Sequence, residues 1–571
     1  MFHRLFTKGR LVPACAIVLL GLLVYSNTFK APFELDDKRV ISESRTIKDL
    51  SYFGFNAPHE LYQDNGTMAK ELDSLRRRYA GFFSFALNYR VHGLDVTGYH
   101  IVNLVIHLSN ALLVFALLLV IFRTPYFPPE RDTARENLTA LFCALIFVCH
   151  PVQTQAVTYI VQRFTSLAAL FYLLSLVFYL VARTSGAGRA RYVLYAGSMV
   201  SAVLAMETKE SAFTLPITVA LCEFFFFKGK RAMVIAWLLP VFLAMPALLL
   251  TIAGGIGHSL KLANPQGIPK MDYLFTQFRV IVTYLRLMFP PVVQNFDYDY
   301  PVFHSFFDNE VFLSFLFLLS LAAGAVYLFF YTRRAGPTKE LRLVSLGIAW
   351  FFVTLSVESG IIPINDVIFE HRMYLPSVGI IVALVASVLV IRDKVRGKML
   401  LIERAIIPGL AVFVLILAGA AYARNSVWQD EVKLWEDTVS KSSGKARPHY
   451  NLGLAYFKHN RIPEAIDEFK FVVSKVDFDD AYYNLGLSYF VTGNLGEAIK
   501  AYQAALRSNP EYMNAHSNLG VAYAQSGDFE RAAGEFRFVL KHKPDDGDAR
   551  SNLNIVCKKL GDRREICKTG M

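Results

Sequence analysis

Two adjacent carboxylates, Asp36 and Asp37, sit in Phe33-Glu34-Leu35-Asp36-Asp37, just past the first apolar run at 11–29. Charged groups that close to a bilayer are costly and mark function. Paired acids at the outer mouth of a many-helix membrane protein suit an acid/base site facing a hydroxyl acceptor. Three further polar clusters interrupt apolar stretches. They are His150-Pro151-Val152-Gln153-Thr154-Gln155 with Arg163, Glu207-Thr208-Lys209-Glu210, and Glu358 with Asn365-Asp366 through Glu370-His371-Arg372. A cavity with acids on one side and Arg, Lys and His on the other suits a sugar carried on a lipid phosphate. That leaving group needs cations to take its developing charge, and the acceptor hydroxyl needs a carboxylate base. The alternative for each lone charge is a solvated anchor at a helix end.

The elements that must hold these groups are helical. The chain has 571 residues, 54% of them hydrophobic, and a mean hydropathy of +0.36. These values predict an all-α, polytopic membrane domain over 1–425 with an appended soluble domain over 426–571, which its repeats assign to a tetratricopeptide-repeat (TPR) α-solenoid. About eleven stretches are apolar enough to span: 11–29, 99–122, 138–150, 164–183, 190–206, 211–227, 231–253, 311–332, 341–357, 374–391 and 404–422. Segments 78–92 and 273–290 carry Arg90, Arg279 and Arg286 and read as surface helices. The net charge of +12 gathers in short loops such as Arg183/Arg189/Arg191 and Arg392/Lys394/Arg396/Lys398. That is the positive-inside pattern, and it argues against nucleic-acid binding. The N-terminus reads as an uncleaved signal anchor. An odd span count puts the C-terminus on the non-cytoplasmic side, together with 30–98 and 254–310. Cys15, Cys143, Cys149 and Cys222 fall in apolar runs, whereas Cys557 and Cys567 either pair as a disulfide or stay free thiols.

The C-terminal part repeats with a period near 34. Tyr450-Asn451-Leu452-Gly453 recurs as Tyr483-Asn484-Leu485-Gly486 and Ser517-Asn518-Leu519-Gly520. Ala465/Phe469, Ala498/Tyr502 and Ala532/Phe536 follow in register, and residues 548–560 read as a capping helix. Such arrays hold extended chains in a groove or act as spacers.

The same motifs, in this order, resemble the transmembrane and TPR-containing O-mannosyltransferases of the GT-C superfamily. The likeness includes Tyr99-His100-Ile101-Val102-Asn103 with His107, and Trp428-Gln429-Asp430-Glu431 with Trp435. It implies a GT-C fold and a polyprenyl-phosphate-linked sugar donor, mannose or similar. It also implies inverting transfer to Ser or Thr hydroxyls of an exported protein held by the TPR groove. By position, Asp36 or Asp37 is the base. Arg163, Lys209, His371 and Arg372 hold the donor phosphate. Glu210 and Glu370 orient those cations or contact the sugar. His150 contacts phosphate or acceptor, or caps a broken helix. An acidic pair also suits a divalent metal, but the family resembled generally needs none, and none is expected. Short loops suit a bacterial inner-membrane protein with a periplasmic array. In a eukaryote the compartment would be the endoplasmic reticulum lumen. The competing readings are a non-catalytic membrane scaffold for envelope proteins and, behind it, a transporter or flippase.

Overall fold

The computed structural model describes residues 8–54, 67–127, 132–186, 188–227, 267–334, 340–364 and 366–561. The expected span at 231–253, Asn365 and Cys567 lie outside them. Every regular element among the described residues is helical. The chain divides into two compact units, residues 1–296 with 300–430 and residues 297–299 with 431–571.

The first unit is built on long apolar helices, two of them largely buried and two largely exposed. Val96–Ile121, Ile160–Thr184, Asn309–Arg333 and Leu400–Val427 are long and apolar enough to cross a bilayer. Thr133–Cys149 and Pro151–Thr158 add a fifth if the pair, bent by 53° at His150, counts as one span. About eleven spans were expected, so the described residues hold fewer than half that number. The shortfall has a physical cause. Several of the expected stretches are single helices that stop short of a bilayer's thickness. Lys8–Val24 has 17 residues, Leu215–Phe226 has 12 and Leu341–Leu355 has 15, against about 20 for a bilayer. Arg189–Met206 opens on Arg189 and Arg191, and Pro376–Val395 closes on Arg392 and Lys394. Tyr79–His92, at 14 residues, is too short to span. Gly347 and Gly379 bring two helices into backbone contact, since a Cβ on either would lie 2.3 Å from the other's carbonyl oxygen. Cys143, Cys149 and Cys222 are buried free thiols.

The second unit opens with Glu431–Lys441. Three helix pairs follow: Ala446–Lys458 with Ile462–Lys475, Asp479–Val491 with Leu495–Ser508, and Met513–Gln525 with Phe529–His542. Gly547–Leu560 closes it. The leading helix of each pair ends at a positive-φ residue, Asn460, Gly493 or Gly527. Within each pair a glycine admits the partner helix's aromatic ring: Gly453 faces Phe469, Gly486 faces Tyr502 and Gly520 faces Phe536. A Cβ at any of the three would fall 2.7 Å from the ring. Gly486→Ala should therefore cost about 1–3 kcal/mol by overpacking, read as a lower thermal midpoint for the array's helical signal. An unchanged midpoint would mean that Tyr502 swings aside freely. At the start of the array Asp297, 1% exposed, pairs with Lys445 at 2.7 Å and Arg447 at 2.6 Å. Cys557 is disulfide-bonded.

Candidate functional site

The acidic pair lies in a loop after Lys8–Val24, and the fold treats its two members differently. Leu35 is held at φ +40°, a conformation that a branched residue keeps only when its surroundings impose it. The constraint comes from Asp37, which is 1% exposed. Its carboxylate accepts the backbone N–H of Val161 at 2.6 Å and of Glu34 at 3.1 Å, and Ile160 adds a third backbone donor. Asp36 projects the other way. Its side chain is 54% exposed and meets Arg39 at 3.2 Å, and its backbone N–H donates to Tyr159 Oη at 3.0 Å. Tyr159 is buried edge-on to Phe296 and tilted against Trp428. Asp37 thus anchors the loop, and Asp36 is the exposed carboxylate of the two, paired with Arg39.

Burial lifts the Asp37 carboxyl from 3.8 to about 8, against the pull of its backbone donors. The native state then holds a proton that the unfolded chain releases above pH 4. This stabilising contribution is complete below about pH 4 and is lost as pH rises through about 8. Thermal midpoints should fall between pH 5 and pH 9, and Asp37→Asn should flatten that part of the profile. An equally steep profile in the variant would assign the dependence to another group.

The cations form a second cluster. Lys209, 8% exposed, sits at the start of Glu210–Thr214. Its Nζ reaches Glu358 at 2.5 Å and Thr165 Oγ1 at 2.9 Å. Burial pushes the Lys209 amine down, and Glu358 pulls it back up. Glu210 accepts both Nε and Nη2 of Arg78 at 3.2 and 3.0 Å. Arg372 donates to the carbonyls of Val367 and Asp366 at 3.1 and 2.6 Å. A small cavity opens among Thr165, Tyr172, Ser211, Glu358, Arg372 and Leu375. Asp36 is within electrostatic reach of Arg78, so acid and cations belong to one field.

Other expected site residues are engaged differently. Arg163 is fully buried. Its guanidinium donates to Asn103 Oδ1 at 2.6 Å, Asn88 Oδ1 at 2.7 Å, the Tyr99 carbonyl at 3.1 Å and the Ser84 carbonyl at 3.3 Å. It also lies 4.4 Å from the Phe85 ring centre. With its donors so occupied, Arg163 acts as a strut between helices. His371 bonds Gln155 through its backbone N–H and its ring Nδ1. Burial, and then the nearby Lys209, Arg372 and Arg78, hold its ring well below the usual histidine range. It is therefore neutral at pH 7 and adds no charge for a phosphate. Glu370 accepts from Gln294 Nε2 at 2.6 Å and the Asn295 N–H at 2.7 Å, fixing that loop. His150 takes the Val152 N–H on Nδ1 at 3.1 Å and caps the turn Pro151–Gln153 at the bend. Arg78 and Tyr159 were not singled out from sequence. The run Arg76-Arg77-Arg78 beside an apolar helix was the available signal for the first. Among the described residues no group of three His, Cys, Asp or Glu is gathered as for a metal ion.

The model of the tetratricopeptide repeat matches residues 450–512 and 483–549. A Drosophila melanogaster protein, "Protein O-mannosyl-transferase Tmtc3", is 25% identical over 542 residues, covering 83% of this chain and 56% of the fly protein. Human "Protein O-mannosyl-transferase TMTC4" is 22% identical over 76% of this chain and 62% of its own length. Over most of its length the chain is similar to proteins named TMTC O-mannosyl-transferases, at 22–25% identity. Xenopus laevis "Protein O-mannosyl-transferase tmtc2" is 34% identical over a shorter stretch, 28% of this chain and 18% of that relative. Against the fly TMTC protein, the chain spans about half the relative's length. The matched repeat model agrees with the helix pairs of the second unit.

Proposed function

We propose that the chain is an integral-membrane protein O-mannosyltransferase that takes its sugar from a polyprenyl-phosphate donor. The observation that carries this reading is the contrast within the acidic pair. Asp37 clamps a strained loop, and that loop leaves Asp36 exposed and within electrostatic reach of Arg78. Asp36 takes the proton of a Ser or Thr hydroxyl as its oxygen attacks the anomeric carbon. The carbon–oxygen bond to phosphate breaks on the opposite face, so the configuration inverts. The departing polyprenyl phosphate keeps the electron pair, and its charge is met by Arg372, which lines the small cavity, and by Lys209, which reaches the lining residues Glu358 and Thr165. Glu358 holds Lys209 in place between turnovers, and Glu210 holds Arg78. A second cavity, lined by Leu117, Leu118, Trp350, Val378 and Val382, is wholly apolar. It adjoins the first across Trp350, whose indole donates to the Leu375 carbonyl at 3.0 Å, and it suits a hydrocarbon-bearing donor. The names of the TMTC relatives support the reaction class.

The test is transfer of label from polyprenyl-phosphate mannose into protein in isolated membranes. A signal that needs the folded chain supports the reading. Failure with mannose and with other polyprenyl-phosphate sugars would defeat it. One observation favours the scaffold alternative: Arg78 and Lys209 already have carboxylate partners, as in a structural charge network. That alternative requires the second unit alone to restore function in cells lacking the protein.

A further inference from the structure

Three consecutive residues, Tyr159, Ile160 and Val161, reach the acidic pair from more than a hundred positions further along the chain. The backbone amides of Ile160 and Val161 serve the Asp37 carboxylate. Tyr159 serves Asp36 instead, and does so with its side chain. Its Oη accepts the Asp36 N–H at 3.0 Å, and that N–H has no other acceptor among the described residues. The tyrosine is itself held fast. Its ring stands edge-on to Phe296 at 5.1 Å and against Trp428 at 5.9 Å, and those two rings meet each other at 4.7 Å. All three are buried. Its backbone turns the corner between Thr154–Thr158 and Ile160–Gln162. Asn103 Nδ2 ties the carbonyls on either side of that corner, Val157 at 3.1 Å and Ile160 at 3.2 Å. The Asp36 N–H belongs to the peptide that leaves Leu35, the residue held at φ +40°. On the other side of Leu35 the Glu34 N–H is bound by the Asp37 carboxylate. The strained residue is therefore gripped from both directions.

We infer that Tyr159 is the positioning residue of Asp36: its hydroxyl holds the peptide from which the Asp36 side chain projects, and so aims the carboxylate. The inference rests on reading Asp36 as the base. A base must come within hydrogen-bond reach of the proton it takes, and a misplacement of about 1 Å costs on the order of a hundredfold in rate. The side chain of Asp36 has no firm hold of its own. Its partner Arg39 is 78% exposed, and an exposed pair of this kind restrains little. Aim must then come from the main chain. Leu35 left to itself would relax out of its left-handed conformation, and the peptide carrying Asp36 would turn with it. The Tyr159 hydroxyl opposes that turn at the very next atom. Trp428 acts by the same route, one contact further out. Its indole N–H is buried without a hydrogen-bond partner among the described residues, so what it contributes here is the wall that keeps the tyrosine ring in place.

The experiment uses the full chain in detergent and reads amide hydrogen exchange in the peptide spanning Asp36, together with label transfer from polyprenyl-phosphate mannose. Tyr159→Phe keeps the ring and removes the acceptor. Exchange at the Asp36 N–H should speed up roughly tenfold. The kcat should fall by about ten- to a hundredfold, with KM for donor and acceptor and the melting midpoint unchanged. In an Asp36→Asn background Tyr159→Phe should cost no further activity, because no base is left to aim. Trp428→Phe breaks no hydrogen bond and should move both readouts the same way by a smaller factor, so it carries the test if Tyr159→Phe fails to fold. The inference is overturned if exchange at Asp36 is unchanged in the folded variants, or if KM rises while kcat holds. It is also overturned if Tyr159→Phe lowers the residual activity of Asp36→Asn as much as it lowers that of the native chain. A native chain that transfers no sugar defeats the enzyme reading, and the exchange measurement still decides whether Tyr159 holds Asp36.

Discussion

Asp36→Asn is expected to lower sugar transfer by roughly 10²- to 10⁴-fold, the usual worth of a positioned general base, and to leave folding intact. The structural case for an intact fold is direct. The side chain is 54% exposed and its ion partner, Arg39, is 78% exposed, and surface pairs of this kind contribute only about 0–1 kcal/mol. Asparagine keeps the shape, and the backbone N–H that meets Tyr159 is untouched. The measurement is the rate of label transfer at matched expression, with a thermal melt alongside. Full activity in Asp36→Asn, together with loss in a folded Asp37→Asn, would move the base to Asp37.

Lys209→Met carries the second large effect, on stability and on rate. Lys209 and Glu358 are 9% and 11% exposed at the side chain. Removing the amine strands a buried carboxylate, which costs about 3–5 kcal/mol. Adding Glu358→Gln removes the stranded charge and should restore most of the melting midpoint. Transfer should not return, because the cation facing the departing phosphate is still missing, a loss of roughly 10²- to 10³-fold by analogy with other charge-stabilising groups. A double variant that regains both folding and turnover would show that the pair is structural only.

The repeats were legible because their signal is local: glycine and aromatic recur at a fixed spacing, and each glycine's role needs only the next helix. The acidic pair was also visible, as two charges beside an apolar run. What separates Asp36 from Asp37 was not visible, because the partner Val161 lies 124 positions away. The same holds for Arg163. Sequence shows an arginine beside a polar break, and nothing local reveals that Asn103 and Asn88, 60 and 75 positions earlier, use up its donors. Arg78 went unnoticed since Glu210 stands 132 positions on. The span count failed for another reason. Hydropathy registers an apolar stretch but does not see how little of it the helix keeps, 12 residues in Leu215–Phe226 and 15 in Leu341–Leu355.

The Arg163 strut has a consequence for descent. A guanidinium that serves four acceptors from two other helices cannot change alone. Lysine would keep the charge but abandon the planar geometry, and leucine would leave Asn88 and Asn103 with buried, unanswered oxygens. Asn88, Asn103 and Arg163 therefore make up a single heritable character. Across related chains the three should be kept together or exchanged together. A lineage that has lost the arginine should have replaced both asparagines with apolar residues.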